Sequence, residues 1–228
     1  MTATYLTHPQ LDIGLKPMRG HLFVKLDDAK PPTGLVLPDT YERVENKAVV
    51  LATGEGTTTP VGVSVFLTPA CGVSLSVSAP KFDLPPSILD IEEDDVLATY
   101  YEDWAEVWKR CRIVGVPATS LAAHWVPIEN HVLMRPYSPA GVYTGGIIAA
   151  KNEKFPRVWA YLLTVPVATF ERNPDLVPGR MVVYARYSDE LLGYDTRANG
   201  DKDLPVVIAP IEELKACMFP APVTLEVD

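Results

Sequence analysis

Several features that would announce a chemistry are missing from this chain. Basic residues are in the minority: 20 Lys and Arg against 29 Asp and Glu leave a formal charge of −9. Phosphate backbones require a positive footprint, so no nucleic-acid partner is expected; the acidity reads first as solubility. Cysteine is scarce. Cys71, Cys111 and Cys217 are odd in number and far apart, with no CxxC spacing, which excludes a zinc ribbon or a disulfide framework and leaves reduced thiols as the expectation. No apolar run reaches the roughly 18 residues that span a bilayer, so no membrane role is expected. The opening "MTATYLTHPQLDIG" has neither a basic nor an apolar leader region, so no secretory signal is expected.

Catalytic signatures are absent too. There is no GxSxG, HExxH or P-loop; "TGEGTTT" is glycine-rich but lacks the lysine and the following helix that phosphate binding needs. "DIEEDD", residues 90–95, does not have the spacing of an EF-hand loop and reads as a solvated turn. His21 and His131 each open a strand-like run, which favours structural hydrogen bonding, and His8 and His124 have no partner visible in sequence. The expectation is a protein with no catalytic residues, no metal and no cofactor, and not an enzyme.

What the chain does have is proline, 22 of them scattered along its length. A helix bundle would not tolerate that distribution. Prolines punctuating short runs of Val, Leu, Ile and Tyr point to an all-β protein. It also has a repeat. "KPMRGHLFVKL", residues 16–26, is matched by "VPIENHVLMRP", residues 126–136, with Pro17 against Pro127 and His21 against His131. A polar, proline-bearing stretch follows each, "LDDAKPPTG" and "PYSPAGVYTGG", ending in glycine and aliphatics: Gly34-Leu35-Val36-Leu37 and Gly146-Ile147-Ile148-Ala149. Then come "KAVVLATG" against "RVWAYLLTV", "PVGVSVFL" against "VPGRMVVY", and "SILDIEEDDVLA" against "VVIAPIEELKA". Five features in one order imply two copies of a small β domain. Residues 1–99 form the first, 124–228 the second, and 100–123 a connecting segment. Within it, "YYEDWAEVWKRC" places Tyr100, Tyr101, Trp104, Val107, Trp108 and Cys111 at three- and four-residue intervals, which predicts a helix with one apolar face packed on a barrel. A partner-docking role for that aromatic stripe is the other reading.

The order of these motifs resembles the GroES-like, ten-kilodalton co-chaperonin family. The residues that carry the resemblance are "LKPMRGHLFVK", "TGLVLPDT", "AVVLATGEG", "VGVSVFL" and "DDVLA" in the first copy. In the second they are "PIENHVLMR", "TGGII", "VPGRMVVY" and "IEELKA". The resemblance implies two tandem small β-barrels joined by the helical, aromatic segment. It further implies a non-catalytic, cytoplasmic homo-oligomer that docks on a chaperonin ring through apolar loop tips. Carried over, the tips would be Leu35, Val36 and Leu37 in the first copy and Ile147 and Ile148 in the second. Loops ordered only on binding give weak single sites, and several on one ring recover affinity through effective concentration. Two alternatives stand beside this. The Leu35–Leu37 triplet also reads as a short buried strand. The second copy has Ala149-Ala150-Lys151 where a third aliphatic and a proline would stand, which suits a structural virion protein, a phage-capsid decoration or cement protein reusing the same fold.

Overall fold

The computed structural model describes residues 15–27, 46–136, 157–185, 189–196 and 202–217. The chain divides into two compact units, Met1–Tyr100 and Tyr101–Asp228, and it is mostly β, with antiparallel pairing throughout both. Residues 101–123, read from sequence as a connector, fall within the second unit.

In the first unit the strands are β1 (His21–Leu26), β2 (Lys47–Thr53), β3 (Ser64–Leu67), β4 (Val73–Ser74), β5 (Ile88–Glu92) and β6 (Val96–Tyr100); a single helical turn, α1 (Leu75–Ser78), follows β4. They pair in the order β4-β5-β1-β2-β3-β6. The second unit opens with α2 (Trp104–Arg110), β7 (Cys111–Ile113) and β8 (Trp125–Pro127). Its sheet is built from β9 (His131–Pro136), β10 (Arg157–Pro166), β11 (Met181–Ala185), β12 (Glu190–Thr196), β13 (Lys202–Pro210) and β14 (Leu214–Cys217), with α3 (Val167–Arg172) between β10 and β11. The order is β12-β13-β9-β10-β11-β14, and β7 adds to the end of β10. Strand for strand, the two orders are the same.

The irregularities coincide as well. Phe23 faces Ala52 and Val24 faces Val50, so Leu51 is an extra residue in β2; Leu133 faces Thr164 and Met134 faces Leu162, so Leu163 is the extra residue in β10. A second bulge falls at Leu97 in the β3–β6 pair and at Lys215 in the β11–β14 pair. Bulges set strand twist and are specific features of a fold, not noise. The turn into the third strand repeats too. Gly62 and Gly179 hold φ of 86° and 85°, a left-handed conformation open to glycine at no steric cost. Gly62 donates to the Val50 carbonyl at 2.8 Å and Gly179 to the Leu162 carbonyl at 2.7 Å.

Alternation along these strands makes one face of each sheet a core. In the second unit that core joins Val132, Met134, Ala160, Leu162, Val182, Tyr184 and Ala209. The residues in the same places of the first unit, Leu22, Val24, Ala48, Val50, Val65, Leu67 and Ile91, are all buried. Each Val, Leu, Ile or Met among them contributes on the order of 1.5–3 kcal/mol by leaving water, and each alanine less.

The opposite face is covered differently in each unit. In the first, Leu75 and Leu84 from the excursion after β4, with Leu15, pack over Phe23, Ala52 and Ile88. In the second, the short turn Leu121–Ala123 does so, and it is fastened by polar bonds: the Thr164 hydroxyl donates to the Ala122 carbonyl at 3.1 Å. No helix among the described residues is long and apolar enough to cross a membrane.

Candidate partner-binding surface

Leu35, Val36, Leu37, Ile147 and Ile148 all lie outside the described residues. The strands on either side of them are described. In the first unit the tip segment joins β1 to β2, and the ladder closes at Leu26 opposite Ala48 and at the Asp27 N–H, which donates to the Lys47 carbonyl at 2.9 Å. In the second it joins β9 to β10, whose ladder closes at Pro136 opposite Ala160. The same hairpin of the same sheet therefore launches both segments. Next to the second stem, Trp159 is 41% exposed, where the first unit has Lys47.

The helix of the aromatic segment forms as the heptad-like spacing predicts, but it turns only part of its apolar stripe inward. Asp103 caps it by accepting the Ala105 N–H at 2.9 Å, and Glu106 leads while Lys109 and Arg110 trail, as the helix dipole favours. Val107 is fully buried and packs with Cys111 and Ile113. Trp104 and Trp108 stay half exposed, edge to face, with ring centroids 5.7 Å apart.

The glycine-rich "TGEGTTT" and the acidic "DIEEDD" turn out to meet. Glu93, opening a short helical turn after β5, accepts four donors on one carboxylate oxygen. They are the N–H groups of Thr58 and Thr59, each at 2.7 Å, and their hydroxyls, at 3.1 and 2.7 Å. Burial alone would raise this carboxyl, but the donors outweigh it and hold it below its ordinary value. The acidic stretch forms the turn between β5 and β6 that was expected, with Glu92 and Asp94 exposed. Through Glu93 it also fastens the β2–β3 loop, and no local motif marks a partner 34 residues away in sequence.

The two histidines that open matching strands differ. His21 Nδ1 lies 3.0 Å from an Asp90 carboxylate oxygen. The position of Asp90 is taken by Ile208 in the second unit, since Phe23 faces Asp90 and Leu133 faces Ile208. His131 Nδ1 is accordingly buried with no hydrogen-bond partner, and burial lowers the ring's pKa against a smaller opposing effect of Glu212. The expectation of a side-chain hydrogen-bonding role in both copies is thus corrected for His131 Nδ1.

One charged cluster is deeply placed. Asp195, 7% exposed, accepts the Ser120 hydroxyl at 2.6 Å and the Leu121 N–H at 2.7 Å, and it pairs with Arg135. Both carboxylate oxygens are engaged, and the hydroxyl of buried Ser120 is spent on this bond. The geometry fastens the Leu121–Ala123 turn to β12 and β9. It offers no imidazole at the hydroxyl to act as a base. The His124 ring nitrogens lie 3.1 and 3.0 Å from the carbonyls of Tyr101 and Ala118. Burial pushes the Cys71 thiol up to about 11, with Asp95 adding to it, and the Cys111 thiol up to about 12. Both stay protonated at neutral pH and are poor nucleophiles. Among the described residues no three His, Cys, Asp or Glu side chains gather as a metal site would require.

No protein-family model matches the chain, and no curated protein matches it.

Proposed function

We propose that the protein is a non-catalytic assembly module: two GroES-like domains, each a closed small barrel, that grip a large protein assembly through the apolar tips Leu35–Leu37 and Ile147–Ile148. A cytoplasmic chaperonin ring is the partner the sequence resemblance favours, with the protein itself acting as a homo-oligomer. The observation that carries the reading is the repeated architecture: two sheets of one strand order, with the same bulges, from which the same hairpin leads into a glycine-aliphatic segment. A duplicated scaffold keeps two copies of one segment on rigid stems, which is what multivalent gripping uses. A tip of two or three aliphatics buries little surface, so each contact is weak and reversible.

Co-sedimentation with chaperonin rings in the presence of nucleotide tests this. The expected result is a nucleotide-dependent complex that Leu35→Asp weakens at least tenfold and that Ile147→Asp weakens less, because its tip is shorter. Absence of a complex, or one indifferent to Leu35→Asp, removes the proposal. Recovery of the chain on a capsid instead would favour the structural virion reading.

A further inference from the structure

One short helix of the second unit keeps large apolar side chains in water. Trp104 is 51% exposed and Trp108 56%, one helical turn apart on α2. At about 100° per residue the two indoles share one flank of the helix, beside the buried Val107. Ala105 and Lys109 extend that flank toward solvent, and both are exposed. Glu106 and Arg110 take the other flank, where they lie 3.7 Å apart and Arg110 covers the Tyr101 ring. Glu102 stands exposed just ahead of the capping Asp103. The tryptophan flank therefore runs from an acidic start at Glu102 to a basic end at Lys109.

Its charge also sets this stretch apart from the rest of the chain. A formal charge of −9 makes copies of the protein repel one another overall. Residues 102–112 are balanced, with Glu102, Asp103 and Glu106 against Lys109, Arg110 and Arg112. Two copies of α2 laid antiparallel bring the acidic start of each to the basic end of the other; laid parallel, like would meet like. The same reversal sets Trp104 of one copy against Trp108 of the other, a self-complementary contact about a two-fold axis. Lys109 already meets Glu106 at 2.5 Å, but an ammonium has three donors and can serve a second carboxylate. A half-exposed tryptophan offers roughly 100 Å² of surface. Four of them hide roughly 400 Å², well short of the roughly 1,200 Å² at which stable interfaces begin. The contact is therefore weak and concentration-dependent.

We propose that α2 is a self-docking site, on which two copies pack their Trp104–Trp108 flanks antiparallel with Lys109 of each facing Glu102 of the other. The inference rests on the homo-oligomer named under the proposed function and supplies a contact within it; it does not depend on the chaperonin grip. Sedimentation equilibrium, together with fluorine NMR of the full chain labelled with fluorotryptophan, tests it over a wide concentration range. Each of the four tryptophans is assigned by substitution with Phe. On dilution the Trp104 and Trp108 resonances should move together as the mass falls, while Trp125 and Trp159 stay in place and certify an intact fold. Lys109→Glu and Glu102→Lys should each weaken association at least tenfold, and the two combined should restore it. Association that leaves the Trp104 and Trp108 signals unmoved would overturn the site while sparing the homo-oligomer. A chain that stays monomeric throughout would overturn both. A double variant no better than the single ones would overturn the antiparallel pairing. Chaperonin binding bears on none of these results.

Discussion

Glu93 takes four donors on one oxygen, and the consequence is a defined dependence on acid. Its carboxyl is held below the ordinary value of 4.5. A depressed carboxyl stabilises the fold fully above its unfolded value, and that contribution is lost as pH falls through the lower, folded value. Glu93→Ala should cost about 1–2 kcal/mol at neutral pH, the low end of the range because the turn is partly solvated. Urea titrations should show that difference shrinking as the pH is taken below 4. His131 works in the same direction but in a higher pH range. Its ring is lowered by burial from 6.5, so the unfolded chain binds the proton more readily. Stability should drop as pH falls through the ordinary histidine range, and His131→Gln should flatten that part of the curve. Neither effect was legible in the sequence. Histidines at matched positions looked equivalent, and only the register shows that Asp90 has become Ile208 beside the second one.

At the scale of elements, two fastenings hold the units together internally. Asp195 anchors the turn over the second sheet's outer face, and removing it leaves Arg135 buried without its partner; its side chain is only 14% exposed. Asp195→Ala should therefore destabilise by about 3–5 kcal/mol, read as a lowered denaturation midpoint for the second unit. Gly54 is the second case. A Cβ there would stand 1.8 Å from the Met18 carbonyl oxygen, backbone that cannot yield. Gly54→Ala should cost about 1–3 kcal/mol through strain, well above the effect of the same change at an exposed strand end. Sequence pattern found the strands because alternation and Pro/Gly punctuation are local signals, and "LFVK" and "VLMR" became β1 and β9. It found α2 for the same reason. It did not find that Trp104 and Trp108 stay outside, since spacing shows that residues share a stripe and not how wide a stripe the neighbours cover. The Asp195 cluster joins residues 75 positions apart and leaves no local trace.

For the whole molecule, a repeated strand order is the organising feature. One strand order, two bulges and one glycine turn recur in the same places. Yet the covers of the two outer faces have diverged, with Leu75 and Leu84 in one unit and the Leu121–Ala123 turn in the other. The β1–β2 and β9–β10 hairpins are the parts whose outer segments carry glycine and aliphatics in both copies, and the proposed grip rests there.

Hydrogen–deuterium exchange of the full chain, with and without chaperonin rings and nucleotide, tests that grip most directly. The expected result is protection on binding at residues 28–45, weaker protection at 137–156, and unchanged exchange in the sheets. Unchanged exchange in both segments, or protection confined to surfaces away from those two hairpins, would contradict it.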